Sequence, residues 1–280
     1  MVISKVAVFG GGTMGRYIAE ALASSGICVT IIDLERCKLI ETLKGISSNI
    51  DNEIKKWAIT PSEKKVILNR IAVETDPRLA RDCQFLIEAI PDNFSEKEKL
   101  FAMLDDLYPP ELIFATNTST LSVTRLCSSI NRQSNFIGLH FIYPVHNNKI
   151  VEIIAGKKTS EETCRAAEDL IISIGKVPII IKNTDRPITS RAIMPLINEA
   201  IYLVQEGMDI SEIDKAIKLG YNFSVGPLEL ADRIGLDELE ARFAHMNMEF
   251  GSRFAPCPLL ETMVKKGELG IKTGAGFYKY

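Results

Sequence analysis

Lys5-Val6-Ala7-Val8-Phe9-Gly10-Gly11-Gly12-Thr13-Met14-Gly15 is the stretch on which the fold turns. Val6 to Phe9 is an unbroken apolar run, the pattern of a strand covered on both faces in a parallel sheet. The glycines behind it fit G-x-G-x-x-G. Gly10 then permits a tight turn, Gly12 lets the backbone approach a pyrophosphate, and Gly15 lets helix and strand pack closely. Thr13 and Met14 open a helix whose first N–H groups point at phosphates. Asp33 ends the next apolar run, 18 residues beyond Gly15. A carboxylate there accepts from a ribose 2′-hydroxyl and repels a 2′-phosphate, which points to NAD. Arg36, able to receive a phosphate, weighs slightly toward NADP.

Working outward, short apolar runs alternate with helical patterns through the first two-thirds of the chain. Strands are expected at Lys5–Phe9, Val29–Asp33, Ile71–Glu74, Phe85–Ala89, Leu112–Thr116, Phe136–Phe141, Val151–Ile154 and Val177–Ile181. Helices are expected at Met14–Ser24, Ser95–Leu107 and Glu161–Ile174. The charged segment near 34–70 reads as a helical hairpin inserted after the second strand, with Thr60 as an N-cap and Pro61 at the first helical position. Trp57 and Ile54 lie three apart there, which predicts that both pack into a core. Beyond Lys182 the patterns are helical only. The expected fold class is α/β: an N-terminal Rossmann-type parallel-sheet domain over residues 1–183, then a smaller all-α domain over 184–280.

Composition narrows the function classes. A 46% hydrophobic and 25% charged chain with a net charge of −3 is an ordinary globular sequence without bulk attraction to nucleic acid or anionic membrane. Six cysteines occur with no CxxC pair and no zinc-ligand spacing, so no metal is expected and free thiols in a reducing compartment are. No signal peptide and no membrane span is apparent, and the expected location is the cytoplasm.

Of three histidines, His140 stands at the end of an apolar strand, where ligands of open α/β sheets bind. Glu152 follows twelve residues later, after a turn. Neighbouring strands would bring the two together, and the carboxylate would fix the ring tautomer for acid–base work. From spacing alone a structural histidine is the better reading. His146 reads as a surface loop residue and His245 as structural.

A set of segments in one order adds to this: FGGGTMG at the start, EAIPDN (88–93), ATNTSTLSVT (115–124), GLHFIYPV with KIVEII (138–154), NEA (198–200), VGPLELAD (225–232) and GIKTGAGFYKY (270–280). Through them the chain resembles the L-3-hydroxyacyl-CoA dehydrogenase family over nearly its whole length. The resemblance implies that His140 takes the proton from a 3-hydroxyl while hydride passes to nicotinamide. It implies that Glu152 is its carboxylate partner and that Ser119 lies near the substrate hydroxyl and nicotinamide. Lys97 and Lys272 would be cofactor contacts. Asp92 replaces the usual glutamate, keeping the charge with a shorter reach. The partners implied are an acyl-CoA substrate and a second copy of the chain, joined through the helical domain. The tail around Phe277 and Tyr278 would pack on the Rossmann domain.

Two positions depart from the pattern. The family's His-Phe-Phe-Asn-Pro-Val becomes His140-Phe141-Ile142-Tyr143-Pro144-Val145, and Pro-Gly-Phe-x-x-Asn-Arg becomes Asp185-Arg186-Pro187-Ile188-Thr189-Ser190-Arg191. Tyr143 and Ser190 thus stand where the family has asparagines. Hydride chemistry on a 3-hydroxyacyl thioester is the leading expectation. The alternatives are a hydroxyacyl group on an acyl carrier protein, such as a glyceryl group, or a free hydroxy acid met by Arg186. A non-catalytic relative is the least favoured.

Overall fold

The computed structural model describes residues 3–182 and 184–280. The chain divides into two compact units, meeting in sequence between Pro187 and Ile188. The boundary expected at Asn183 lies outside the described residues.

Residues of β1 (Lys5–Phe9) alternate between two cores. Val6 and Val8 enter one apolar cluster and Ala7 and Phe9 the other, so the sheet is the middle layer of three. The first unit continues with α1 (Thr13–Ser24), β2 (Cys28–Ile32), α2 (Arg36–Lys55), α3 (Pro61–Asn69), β3 (Ile71–Glu74), β4 (Phe85–Glu88), α4 (Phe94–Leu107), β5 (Ile113–Thr116), α5 (Val123–Leu126), β6 (Phe136–Phe141), β7 (Ile150–Ala155), α6 (Glu161–Ser173) and β8 (Val177–Ile181). The strand order is β3-β2-β1-β4-β5-β6-β7-β8. All neighbours are parallel except β6 and β7, which are antiparallel because only a short turn joins them. The order reverses between β1 and β4, which opens a crevice at their carboxyl ends.

The hairpin begins α3 with a capping box. Thr60 Oγ1 accepts from the Glu63 N–H (3.3 Å), and the Glu63 carboxylate accepts from the Thr60 N–H (2.7 Å). Trp57 corrects the expectation of core packing. It is 95% exposed with φ of +61°, because α2 ends at Lys55 and the chain has already turned. Helical spacing holds only while the helix lasts, and Ile54, the last apolar residue on it, does pack against the core.

The second unit holds α7 (Ile188–Gln205), α8 (Ile210–Tyr221), α9 (Pro227–Ile234), α10 (Leu236–Phe250) and α11 (Pro258–Lys265) around Ile197, Ile201, Leu228, Leu239, Phe243 and Leu260. Two buried carboxylates fasten it. Asp214 accepts from the N–H groups of Leu228 (2.8 Å) and Glu229 (2.9 Å) and from the Tyr278 hydroxyl (2.9 Å). Asp232 accepts from the N–H groups of Phe277 (2.9 Å) and Tyr278 (2.8 Å). Phe277 therefore lies in this unit's own core.

Candidate active site

The glycine turn has the shape a dinucleotide needs. Gly10 has φ of +108°, and a Cβ there would stand 2.9 Å from the Ala89 carbonyl oxygen. A Cβ on Gly15 would stand 1.9 Å from the Gly10 oxygen, so α1 packs on β1 only through glycine. At Gly12 a Cβ would meet nothing within 4 Å, which leaves its face open for a pyrophosphate to approach. Gly12 is also the N-cap of α1 and makes no side-chain capping bond, so Thr13, Met14 and Gly15 present the helix terminus. Asp33, half-buried after β2, accepts from the N–H groups of Gly11 (2.8 Å) and Glu35 (3.1 Å). These residues fit a dinucleotide with a free 2′-hydroxyl.

Across the switch point, His140 at the end of β6 stands in direct register with Glu152 on β7. Its Nδ1 lies 2.6 Å from Glu152 Oε2, and both side chains are buried. An ionised carboxylate only accepts, so Nδ1 carries the hydrogen and Nε2 is left for proton exchange. Asn117, after β5, steadies this end of the sheet by accepting from the Phe141 N–H (2.9 Å).

Ser119 is drawn to Asp92, whose Oδ2 accepts from its N–H (2.8 Å) and its hydroxyl (2.9 Å). Thr118 Oγ1 accepts from the Leu121 N–H (2.9 Å), which fixes the turn around Ser119. Lys97 is 0% exposed on α4 and holds two carboxylates, Glu88 (2.6 Å) and Asp92 (3.2 Å). Burial alone would lower its pKa, but the two carboxylates overcome that and hold it above the usual lysine range. Burial pushes the Glu88 carboxyl up, against the pull of Lys97 and Thr116. The structure thus adds Glu88 and Asn117 to the site, neither singled out by sequence. A carboxylate closing a strand is the signal that marks Asp33, and Glu88 carries it as well.

Tyr143 is exposed and sits edge-on to Tyr17 of α1, with ring centroids 5.5 Å apart. His146 is exposed too, and its ring also lies 5.5 Å from Tyr17. Burial lowers the His146 pKa, with Lys56 and Lys176 acting in the same direction against Glu53. Arg186 is half-buried beside Asp185, whose carboxylate accepts from the Ser122 hydroxyl (2.5 Å). Ser190 and Lys272 belong to the second unit. Ser190 is buried on α7, and Lys272 forms an ion pair with Asp237 on α10. Among the described residues no group of three or more His, Cys, Asp or Glu is placed to hold a metal ion, and no helix is long and apolar enough to cross a membrane.

Comparison with known proteins agrees on both units. The family description "3-hydroxyacyl-CoA dehydrogenase, NAD binding domain" matches residues 5–184, and "3-hydroxyacyl-CoA dehydrogenase, C-terminal domain" matches residues 188–280. The chain is 37% identical over 281 residues to the 3-hydroxybutyryl-CoA dehydrogenase of Bradyrhizobium diazoefficiens, covering 100% of this chain and 96% of that protein. It is 35% identical to the mitochondrial hydroxyacyl-coenzyme A dehydrogenase of Homo sapiens, covering 100% and 92%. Among solved structures, (S)-3-hydroxybutyryl-CoA dehydrogenase PaaH1 of Ralstonia eutropha aligns with a TM-score of 0.90 at 37% identity, covering 100% and 99%.

Proposed function

The chain belongs to the 3-hydroxyacyl-CoA dehydrogenase family, and on that premise we propose that His140, oriented by Glu152, performs the proton transfer of an NAD-dependent 3-hydroxyacyl-thioester oxidoreductase. The observation that carries this reading is the 2.6 Å contact between two buried side chains at the carboxyl end of β6. Bound NAD supplies the hydride acceptor. In oxidation His140 Nε2 takes the proton of the 3-hydroxyl, and Glu152 stabilises the imidazolium that results. In reduction the same imidazolium returns the proton to the alkoxide. Ser119, held by Asp92 through its N–H and hydroxyl, stands beside the substrate hydroxyl and the nicotinamide. Asp33 receives the adenosine ribose, and Gly10, Gly12, Thr13, Met14 and Gly15 receive the pyrophosphate. Lys97 acts on the cofactor side through Asp92.

The substrate we propose is a CoA thioester. The full-length relatives at 35–38% identity bear names of CoA dehydrogenases, which favours CoA over the carrier-protein and free-acid alternatives. Tyr143 and Arg186 in the first unit, and separately Ser190 in the second, are the residues we assign to acyl recognition. A homodimer is supported by apolar side chains left exposed at the end of α8 and in the loop after it, where Leu219 is 76% and Tyr221 73% exposed and Phe223 is exposed as well. Six free thiols suit a cytoplasmic location.

The test is NADH absorbance on adding 3-hydroxybutyryl-CoA, carrier-bound glyceryl or free 3-hydroxybutyrate, with His140→Ala as control. Turnover of the CoA ester by the wild type alone is expected. A His140→Ala variant as active as the wild type, or preferential turnover of the carrier-bound substrate, would overturn the assignment.

A further inference from the structure

Thr42 lies within α2, the helix that opens the inserted hairpin, and is buried. A β-branched hydroxyl residue is a poor choice for a helix interior, where its oxygen competes with the backbone. Its hydroxyl oxygen stands 2.7 Å from the Lys38 carbonyl oxygen, one turn back, and 2.5 Å from the Gly11 carbonyl oxygen in the glycine turn. A hydroxyl has one hydrogen to give. The Lys38 carbonyl already receives the Thr42 N–H in the regular helix pattern. The Gly11 carbonyl belongs to a buried residue, and no backbone N–H among the described residues donates to it. Leaving a buried carbonyl unmatched is costly, so the hydrogen goes to Gly11.

That bond completes a clamp on a single residue. Asp33 accepts from the Gly11 N–H (2.8 Å) while Thr42 donates to the Gly11 carbonyl. A Cβ on Gly11 would stand 2.8 Å from Thr42 Oγ1 and 3.4 Å from Asp33 Oδ2, so the middle glycine of the turn lets both partners reach the backbone. The carbonyl of Gly11 and the N–H of Gly12 share one planar peptide, and in a trans peptide they point in opposite directions. Gly11–Gly12 is trans. An oxygen turned in toward α2 therefore turns the Gly12 N–H away from it. Gly12 is exposed, and no backbone carbonyl among the described residues accepts from that N–H.

We propose that Thr42 is a positioning residue for the cofactor: by holding the Gly11 carbonyl it fixes the Gly11–Gly12 peptide and aims the Gly12 N–H at the pyrophosphate of the dinucleotide. This rests on the NAD reading given above. Thr42 is buried under the turn and acts through Gly11. Without its hydroxyl the peptide is free to rotate, and the donor has to be ordered at the moment of binding. The pyrophosphate then loses much of a charge-assisted hydrogen bond. Adenosine carries no phosphate and loses nothing.

The experiment measures three affinities in the full chain: NADH by nucleotide fluorescence, and ADP-ribose and adenosine by their displacement of NADH. In Thr42→Val, which keeps the shape and removes the donor, the Kd for NADH and for ADP-ribose should rise about 10-fold, and that for adenosine should stay within about twofold. Thr42→Ser, which keeps the hydroxyl, should return the first two to within about threefold of wild type. A role in folding alone would lower the denaturation midpoint of the nucleotide-free protein and leave the three affinities of the folded protein as they are. An NADH Kd within about twofold of wild type in Thr42→Val overturns the proposal, and so does an adenosine Kd that rises as far as the NADH Kd. If Thr42→Val does not fold, Thr42→Ala removes the same donor with less bulk and must show the same selective loss, and an unchanged NADH Kd there overturns it equally. Wild-type protein that binds neither NADH nor ADP-ribose overturns the NAD reading itself, and this proposal with it.

Discussion

Replacing Glu152 with glutamine probes the centre of the proposed chemistry with little change of shape. The carboxylate now accepts a 2.6 Å hydrogen bond from His140 Nδ1 in a buried setting. A hydrogen bond to a charged group is worth about 1.5–3 kcal/mol and a neutral one about 0.5–1.5 kcal/mol. The difference is felt most when the imidazole is protonated, which is when the alcohol proton has moved. The glutamine amide adds a second penalty, because its NH2 can turn toward Nδ1 and select the wrong tautomer. Together these remove about 2–3 kcal/mol of transition-state stabilisation, or roughly 30- to 150-fold in kcat. Initial rates of NADH formation from 3-hydroxybutyryl-CoA, both substrates saturating, would measure it. The Kd for NADH should stay within about twofold, since Glu152 lies on β7, four strands from the glycine turn on β1. Two residues acting as one unit are non-additive, so Glu152→Gln combined with His140→Ala should be no slower than His140→Ala alone. A kcat within about threefold of wild type, or fully additive losses, would refute the pairing as the source of the base.

Other expectations follow from the turn and from a buried ion pair. Gly15→Ala sets a Cβ 1.9 Å from the Gly10 oxygen and should cost about 2–4 kcal/mol in chemical denaturation. Gly12→Ala meets nothing within 4 Å, so it should leave stability nearly unchanged yet weaken NADH binding at least about 10-fold; undiminished affinity would move the pyrophosphate elsewhere. Asp105 is buried against Arg132 (2.5 Å) and accepts from the Asn131 N–H (2.7 Å). Burial raises its pKa, but Arg132 and Asn131 outweigh that and hold it below the ordinary value. A depressed carboxyl contributes stability that is fully present above its unfolded pKa and is lost as pH falls through the folded one. Asp105→Asn should therefore lose about 3 kcal/mol at neutral pH and flatten the fall of Tm as the pH drops below the ordinary aspartate range.

What could be read in the sequence was local, or bracketed by a single turn. Strand runs such as Val6–Phe9 declare themselves because both faces are covered, and glycine is required wherever a Cβ would strike a carbonyl, as at Gly15. His140 and Glu152 were legible as a pair because a short turn returns the chain beside itself. Glu88 was not, since its partner Lys97 lies on the following helix and a buried lysine looks like any other helix lysine in a sequence. Trp57 was misread because periodicity gives no notice of where α2 stops. The direction of β7 depends on loop length and pairing, which an apolar run does not encode.

The exposed tip of the hairpin also governs how this protein can be watched. Trp57 is its one tryptophan and already lies in water while the chain is folded. Indole emission will therefore change little as the core comes apart, and a denaturation curve drawn from it would under-report unfolding that circular dichroism records in full. The same residue is a clean optical sentinel for whatever settles on the hairpin, free of background from a second indole.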